Sequence, residues 1–574
     1  MKYNPAAEES PVTDRPEASE SGKAGALKWW HALVAGLLYS VLMFGAFPPM
    51  SLWALSFLAP FPLMYVAWKT PRPFRHGLCV LIGSIPFYAY QFTYVIDISV
   101  AGYVPLVVYL AAWPALFVWL GGAIRRRLPW LAASVLLPVA WVGVDVFRGE
   151  VLFGGFEWYQ VGQPLIANVF LASTAGIGGP YFVTLLAVVP AAVAIELRGA
   201  TNRKRLVAAG IFWCSLVGWG LGLASSLLSQ GEGGETREAR IALVQTNVSQ
   251  DNKLGWSFEQ RQRDFDEFVA LTGRAVLEKP ELIVWPETMF PGIALDSDTA
   301  SMLERERLGH LNGFREQLLS VQNAIGVPML VGAQRADNVR VIEEGGRVRF
   351  EHDGAYNSAF VVSEGSVLDE RYDKLSPTPF GETLPYIKSW PWLQDLVLQI
   401  GLGASGMDFG LESGEDPKPL LIETRGGKIR VATPICFEST QSAVCRRIVN
   451  AGDGADLMIL MTNDGWFADL DAGRQMHLLL ARWRCVELGL PMARCANTGI
   501  TSFIDRAGTV THQLEPREAG VLVETARLDA HPTVYRRIGN LVGWLSLAGL
   551  GVFWLLAVAQ RFNPGAVRGP KKDL

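Results

Sequence analysis

The stretch KIRVATPICFEST, residues 428–440, predicts a strand that ends on a cysteine. Three β-branched residues alternate with neighbours of other kinds, as in a half-buried strand: Ile429, Val431 and Thr433. Pro434 closes this strand, and Cys436 follows it with Glu438 two residues later. Such a cysteine suits an enzyme nucleophile, but a buried cysteine is more often an inert apolar side chain. The stretch alone leaves both interpretations open.

The composition indicates a membrane protein that also has a soluble part. The chain has 574 residues, of which 18% are charged, and its mean hydropathy is +0.22. The net charge of -4 predicts no general attraction to nucleic acid, and the sequence has neither the zinc-ligand spacing nor the basic helix typical of nucleic-acid binding. Six cysteines without a C-x-x-C pair predict neither a disulfide framework nor a metal site, and no cofactor is expected.

Apolar runs of about 20 residues, the length that spans a bilayer, fill the first part of the chain and recur near its end. Residues 1–26 are rich in Glu, Ser, Pro and Ala and predict a disordered tail. We expect a membrane domain of about seven helices over 27–230 and a C-terminal helix over 538–560. The predicted spans are 29–47, 51–68, 77–96, 104–123, 130–147, 166–196, 206–228 and 538–560.

Lys and Arg cluster in alternate connections between these spans. They follow the second, fourth, sixth and eighth spans, whereas the other connections have almost none, Arg148 being the exception. The positive-inside rule therefore predicts cytoplasmic termini, including a tail at 561–574, and an extracytoplasmic region between spans seven and eight. Asp145, near the end of the fifth span, is expected to pair with Arg148.

Residues 235–530 predict a soluble domain between the last two spans. Short apolar strands there alternate with amphipathic helices, a pattern typical of a layered α/β domain. The predicted strands are 241–245, 282–285, 329–332, 358–362, 429–433, 457–461 and 501–505. The predicted helices are 258–278, 313–324 and 474–488.

Two further strand ends carry residues that complement Cys436. The run ELIVWPETMFP places Glu287 after a strand and a proline, and ERYDKLSPTPFGE places Lys374 and Glu382 in a similar context. A carboxylate near a thiol can take its proton, and an ammonium beside both lowers the thiol pKa and stabilises the oxyanion of a tetrahedral intermediate. Each residue alone also fits an ordinary surface or core position, but three of them at three strand ends favour a catalytic group.

Several motifs carry a resemblance to known proteins. WPE, YDK…PFGE and PICFE, in this order, resemble the nitrilase superfamily, whose Glu-Lys-Cys triad lies on an α-β-β-α sandwich. With the spans, the segments GGFEW (154–158), TNDGWF (462–467) and RWRCVE…RCANTGIT (482–501) resemble the membrane-embedded apolipoprotein N-acyltransferase family of that superfamily. The resemblance covers nearly the whole chain after the tail. It implies a multi-span α-helical bundle joined to an α/β nitrilase-like sandwich.

The resemblance also implies roles for individual residues. Glu287 would be the general base, Lys374 the cation that stabilises the oxyanion, and Cys436 the nucleophile. Glu382, in PFGE, and Glu438, two residues after the cysteine, correspond to supporting acidic positions of the family.

Four aromatic residues are expected to contact the substrates: Phe156, Trp158, Trp256 and Trp466. Trp466 also fits a packing role under the nucleophile. The chain departs from the family pattern at Phe437, where the family commonly has Tyr, and at Glu157, where GFPW has become GFEW. These departures concern contacts with lipid and leave the three catalytic positions intact.

The reaction that the resemblance implies is a two-step acyl transfer. Cys436 would take an acyl chain from a membrane phospholipid as a thioester, and the α-amino group of a diacylglyceryl-cysteine on an apolipoprotein would then accept it. Water must be kept from the thioester meanwhile. The implied location is the bacterial inner membrane, with the catalytic domain on the periplasmic side, and we expect a monomer.

Two other functions remain as alternatives. A membrane-tethered nitrilase-type amidase or hydrolase would use the same triad with water, and a transporter or binding protein would use the spans instead. His477 is expected to be a hydrogen-bonded core histidine, although a catalytic role stays open. Cys445, Cys485 and Cys495 are expected to be free buried thiols.

Overall fold

The computed structural model describes residues 27–198, 202–230, 237–248, 257–344, 347–384, 410–468, 470–528 and 530–562. The predicted tail at 1–26 and most of the predicted tail at 561–574 lie outside these residues.

Nine of the described α-helices precede the first strand, five lie between strands, and two follow the last strand. Those of the membrane part are α1 (Trp29–Ala46), α2 (Pro60–Lys69), α3 (Pro73–Gln91), α4 (Val95–Ile98), α5 (Val100–Arg127), α6 (Ala133–Val146), α7 (Val169–Ala172), α8 (Ala175–Leu197) and α9 (Asn202–Gln230). Those that follow are α10 (Phe258–Val276), α11 (Ser297–Arg305), α12 (Gly313–Ile325), α13 (Ser442–Asn450), α14 (Asp471–Leu488), α15 (Val534–Ile538) and α16 (Leu541–Phe562).

Five of the described helices combine membrane length with high mean hydropathy: α1, α5, α8, α9 and α16. Other predicted spans take shorter or less apolar forms. The second is a 3-10 turn at Trp53–Phe57 followed by α2, which has 10 residues and begins at Pro60. The fifth is α6, with 14 residues, continued by a π-helical turn at Phe147–Val151. The arrangement of eight spans therefore stays a prediction.

The polar pair predicted at the end of the fifth span is present. Arg148 Nη2 lies 3.5 Å from Asp145 Oδ1, and both residues are buried among the membrane helices. Pairing offsets the cost of placing either charge in this apolar region.

Two six-stranded sheets build the soluble domain. The first has the order β14-β1-β2-β3-β6-β7 and the second β13-β12-β11-β10-β9-β8, while β4 and β5 form a separate hairpin. The strands are β1 (Glu238–Gln245), β2 (Leu282–Val284), β3 (Met329–Asp337), β4 (Arg340–Glu344), β5 (Arg347–Glu351), β6 (Gly354–Ser363), β7 (Ser366–Asp373), β8 (Leu420–Thr424), β9 (Gly427–Ala432), β10 (Leu457–Thr462), β11 (Met492–Ala496), β12 (Ser502–Ile504), β13 (Val510–Gln513) and β14 (Gly520–Arg527).

Alternation along the strands separates two cores. Ile241 and Leu243 of β1 pack in the core between the sheets, whereas Ala242 and Val244 pack in the core beneath α10 and α12. On the far side of the second sheet lie α13 and α14, whose residues Ile448 and Leu488 share an apolar cluster with the strands of that sheet. The domain is therefore the predicted α-β-β-α sandwich.

Helix α14 also joins this sandwich to the membrane helices. Met476, Leu479, Leu480 and Trp483 share one apolar cluster with residues of α1, α3, α5 and α8. The Trp483 indole Nε1 donates a hydrogen bond to Gln163 O at 3.0 Å. This contact places α14 against the 3-10 turn Gln163–Ala167, which lies between α6 and α7.

Candidate active site

The three predicted catalytic residues come together in a buried cluster. Glu287 follows β2, Lys374 follows β7 and Cys436 follows β9, each at a strand end as predicted. Lys374 Nζ lies 3.4 Å from Glu287 Oε1 and 2.8 Å from Glu382 Oε2. The Cys436 thiol is close enough to interact electrostatically with both Lys374 and Glu287. Glu287 and Lys374 are 4% and 1% exposed, so they are shielded from bulk water.

The ammonium of Lys374 is held by two carboxylates. Burial opposes its charge, but the carboxylates of Glu382 and Glu287 raise its pKa above the ordinary value. Burial likewise opposes ionisation of Glu382, yet Lys374 and hydrogen bonds from Thr378 lower the pKa of that carboxyl. The cluster thus holds Lys374 as a buried ammonium between two carboxylates.

The surroundings of Cys436, the predicted nucleophile, favour its neutral thiol form. Burial raises the pKa of Cys436 well above its ordinary value, Glu287 raises it further, and Lys374 opposes both. The ammonium therefore lowers the thiol pKa, as expected from the sequence, but burial and the Glu287 carboxylate raise it more. Ionisation of such a thiol requires a base, and Glu287, which interacts electrostatically with Cys436, is the residue predicted for that role.

Glu287 is oriented by residues that sequence reasoning missed. Asn357 Nδ2 donates to Glu287 Oε1 at 2.6 Å and to Glu382 Oε1 at 3.3 Å, so one amide bridges two acids. The backbone N–H of Asn463 donates to Glu287 Oε2 at 2.8 Å. Gly332 packs so close to Pro286 and Glu287 that any side chain there would collide with their backbone. Asn463 belongs to the quoted TNDGWF segment, whereas Asn357 offered no local signal.

Cys436 begins a 3-10 turn, Cys436–Thr440, with a φ of 49°. Non-glycine residues rarely adopt this left-handed conformation, and it persists only where the surroundings enforce it. His477 supplies one constraint: its Nε2 lies 3.2 Å from Cys436 O and 3.0 Å from Ser439 Oγ. Its Nδ1 lies 2.9 Å from Asp464 Oδ1. His477 is thus a buried, hydrogen-bonded histidine, as the sequence predicted.

Glu438 links the 3-10 turn Cys436–Thr440, which we call the nucleophile turn, to the loop that carries Lys374. Its Oε2 accepts from Ile435 N at 2.7 Å, beside Cys436. Its Oε1 accepts from Leu375 N at 2.7 Å, Ser376 N at 3.1 Å and Tyr372 Oη at 2.8 Å. Burial raises the pKa of Glu438 to about 7, while these donors and Lys374 oppose the rise. This carboxyl therefore sets the spacing between nucleophile and cation.

Two of the four predicted substrate-contacting aromatics, Phe156 and Trp158, lie beside Phe437 and His477 near Cys436. The Phe156 ring stacks on Phe437 with centroids 6.3 Å apart, next to Cys436. Trp158 is buried and stacks on Phe156 at 5.9 Å and on His477 at 6.2 Å. Trp466 is half-buried on the 3-10 turn Asp464–Phe467, and Trp256 lies outside the described residues.

The remaining cysteines take no part in the cluster. Cys445, Cys485 and Cys495 are buried free thiols, as expected. Cys445 Sγ donates to Glu438 O at 3.2 Å, which adds a structural contact behind the nucleophile turn.

Known proteins resemble both parts of the chain. A family model described as "Apolipoprotein N-acyltransferase N-terminal domain" matches residues 39–193, and one described as "Carbon-nitrogen hydrolase" matches residues 240–531. The "Apolipoprotein N-acyltransferase" of Geobacter metallireducens is 28% identical over 544 residues, covering 92% of this chain and 95% of that protein. The protein of the same name from Nitrosomonas europaea is 30% identical over 459 residues, covering 79% and 81%.

A solved structure of an amidase from Nesterenkonia sp. also matches the soluble part. Its sequence identity is 17% and its TM-score 0.34, and the match covers 56% of this chain and 98% of that chain. A TM-score this low carries no argument about function.

Proposed function

We propose a function from one premise: the chain belongs to the apolipoprotein N-acyltransferase family. It moves an acyl chain from a membrane phospholipid, through a thioester on Cys436, to the α-amino group of a diacylglyceryl-cysteine at the start of a lipoprotein. One observation carries the proposal. Glu287, Lys374 and Cys436 meet in a buried cluster on a domain that packs directly against membrane helices.

In the first half-reaction, Glu287 takes the proton of the Cys436 thiol as sulfur attacks the ester carbonyl of the phospholipid. The negative charge moves to the carbonyl oxygen, where the Lys374 ammonium stabilises it. The tetrahedral intermediate then collapses, the carbon–oxygen ester bond breaks, and the leaving alkoxide takes the proton from Glu287. The products are a thioester and a lysophospholipid.

In the second half-reaction, the neutral α-amino group of the lipoprotein attacks the thioester carbonyl. Lys374 again stabilises the oxyanion, and Glu287 removes a proton from the attacking nitrogen. The carbon–sulfur bond breaks, Glu287 returns a proton to the sulfur, and an amide and the free thiol remain. The apolar rings of Phe156 and Trp158, beside the nucleophile turn, favour lipid over water at this point of the cycle.

The chain is a membrane protein, and we place it in the bacterial inner membrane. The alternating Lys and Arg connections support eight spans with cytoplasmic termini and a periplasmic domain over residues 235–530. Glu382 and Glu438 act as supporting acids, since they hold Lys374 and the nucleophile turn. The enzyme acts as a monomer.

The deciding experiment is intact mass of the purified protein after incubation with phospholipid alone. An added acyl mass on the wild type, absent from Cys436→Ala and released by a diacylglyceryl-peptide with a free amine, is expected. Lys374→Ala should lose most of the adduct formation. Discharge by water at the same rate with or without the peptide would instead indicate a hydrolase, and normal turnover by Cys436→Ala would refute the nucleophile.

Orientation has its own test. A tag placed near Gly233 should react with a membrane-impermeant reagent added from the periplasmic side. Labelling only from the cytoplasmic side would overturn the topology.

A further inference from the structure

Glu157 makes an unexpected contact with the catalytic domain. This residue replaces the proline of the resembling motif, and its carboxylate is 1% exposed. Its Oε1 accepts two hydrogen bonds from Ser442, one from the backbone N–H at 2.9 Å and one from Oγ at 2.8 Å. Ser442 is the first residue of α13, where a carboxylate also interacts favourably with the helix dipole. A proline has no side-chain acceptor for this contact.

The segment 154–158, which contains Glu157, makes two more contacts at the nucleophile turn and the residue after it. Gln441 Nε2 donates to Gly154 O at 2.9 Å, and the Phe156 ring stacks on Phe437. Together with the Glu157–Ser442 contact, these interactions bind the segment 154–158 to both sides of the turn. The segment 154–158 of the membrane part therefore contacts the nucleophile turn and the two residues that follow it.

Side-chain hydrogen bonds connect the residues of the nucleophile turn to one another. Within it, Ser439 Oγ donates to Cys436 O at 2.8 Å and Thr440 Oγ1 donates to Phe437 O at 2.7 Å. These bonds make the turn a compact unit between Cys436 and Ser442. Because Cys436 holds a left-handed φ, its conformation depends on such external anchors.

A buried arginine compensates the charge of Glu157. Arg484 Nη1 lies 3.6 Å from Glu157 Oε2, and Arg484 Nη2 lies 2.8 Å from Glu487 Oε1. Glu157 and Glu487 therefore both pair with Arg484. Among the described residues, however, Glu157 has a hydrogen bond to α13 and Glu487 has none. This difference supplies a matched control.

We propose that Glu157 is a positioning residue that anchors the nucleophile turn to the membrane part, so that the Cys436 thiol meets the phospholipid ester in attacking geometry. The inference rests on the function proposed above and assigns Glu157 a role in its first half-reaction. Glu157 acts through Ser442 and the turn and does not itself touch the reacting atoms.

The test measures single-turnover formation of the acyl-enzyme by the full-length protein in nanodiscs at several phospholipid concentrations. Glu157→Ala should lower the maximal acylation rate about 10- to 100-fold, because a misplaced reacting atom costs that much. The phospholipid concentration giving half the maximal rate should stay within about twofold, since the lipid site is untouched. Glu157→Gln keeps a carbonyl oxygen for Ser442 and should recover the rate to within about threefold of the wild type.

Two further variants make the result decisive. Glu487→Gln removes a carboxylate from Arg484 but no bond to α13, and it should acylate at the wild-type rate. Ser442→Ala removes the hydroxyl's bonds to Glu157 and Asn540 but keeps the backbone bond to Glu157; it is expected to fold and should slow acylation about two- to tenfold. If Glu157→Gln and Glu487→Gln are both as slow as Glu157→Ala, the charge on Arg484 matters and the anchor does not.

Hydrogen–deuterium exchange separates this inference from the proposed function. In Glu157→Ala, backbone amides of residues 436–450 should exchange at least about tenfold faster than in the wild type, while Glu487→Gln leaves them unchanged. Failure of the wild type to form an acyl-enzyme would refute the proposed function. Unchanged exchange or an unchanged acylation rate in Glu157→Ala would refute the anchor.

Discussion

Tyr372→Phe tests whether Glu438 holds the active site together. Tyr372 is 1% exposed, and its hydroxyl donates to Glu438 Oε1 at 2.8 Å, one of four hydrogen bonds to that carboxyl. The substitution removes only the hydroxyl oxygen, so the aromatic packing of the site is kept. The loss of stability then reports the hydrogen bond itself.

The expected loss of stability depends on whether the acceptor, the Glu438 carboxyl, is ionised. A hydrogen bond to an ionised group contributes about 1.5–3 kcal/mol, and one between neutral groups about 0.5–1.5 kcal/mol. For a large domain, about 1 kcal/mol corresponds to roughly 2–4 °C in Tm. With Glu438 ionised, Tyr372→Phe should therefore lower Tm by about 3–12 °C.

The effect depends on pH in a defined direction. Burial raises the pKa of Glu438 to about 7, above its value of about 4.3 in an unfolded chain. The folded protein thus keeps a proton that the unfolded chain loses, so this group makes stability fall as pH rises between those two values. Tyr372→Phe removes a donor to the ionised form, so its destabilisation should be larger at pH 8 than at pH 5.

The assay is thermal unfolding in detergent at pH 5 and pH 8. Tyr181→Phe is the matched control, because Tyr181 is also fully buried and its hydroxyl has no hydrogen-bond partner among the described residues. The control should not destabilise the protein, because it removes a buried hydroxyl that makes no hydrogen bond among the described residues. Equal effects of the two substitutions, or a larger effect of Tyr372→Phe at pH 5, would refute the assigned role of Glu438.

Two further predictions concern charges around the nucleophile. Because Glu287 raises and Lys374 lowers the pKa of the Cys436 thiol, Glu287→Gln should speed alkylation of Cys436 by iodoacetamide at pH 8, and Lys374→Ala should slow it. Mass spectrometry of timed samples checks this, and a slower Glu287→Gln would contradict it. Asp464→Asn should destabilise the protein at pH 7 by about 3–5 kcal/mol, since it leaves the buried Arg494, 2.6 Å from Asp464 Oδ2, without its carboxylate. Although burial opposes ionisation, Arg494 and His477 lower the pKa of Asp464, so its contribution is present above about pH 4 and lost as pH falls further. Denaturant titrations of Asp464→Asn and wild type should therefore converge in acid, and a constant difference would oppose this assignment.

Periodicity predicted the parts of the fold that are buried on two sides. The strand predicted at 241–245 is the buried half of β1, and the helix predicted at 474–488 lies within α14. The structure adds β14, whose residues are mostly half-buried and whose antiparallel pairing with β1 joins positions far apart in sequence. It also adds the β4–β5 hairpin, whose charged strands carry little apolar signal. Local patterns contain little information about such exposed or long-range pairings.

The candidate site shows a similar division. Glu287, Lys374 and Cys436 were predictable because each has a distinctive type and stands at a recognisable strand end. Asn357 was not, because its importance lies in reaching two acids from other loops, which only the packed sheets reveal. The sequence also could not indicate the pKa of the Cys436 thiol. Burial has the largest effect on that pKa, and burial depends on the whole surrounding structure.

Helix α14 has a practical consequence for anyone who wishes to study the catalytic half in isolation. Its residues alternate between two partners: Leu478, Ala481 and Cys485 face the sandwich, while Met476, Leu480 and several neighbours face the membrane helices. A shortened protein that began at β1 would turn the second face into an apolar patch open to water, which promotes aggregation. Polar replacement of that face, rather than a better choice of cleavage point, is what a soluble fragment would need.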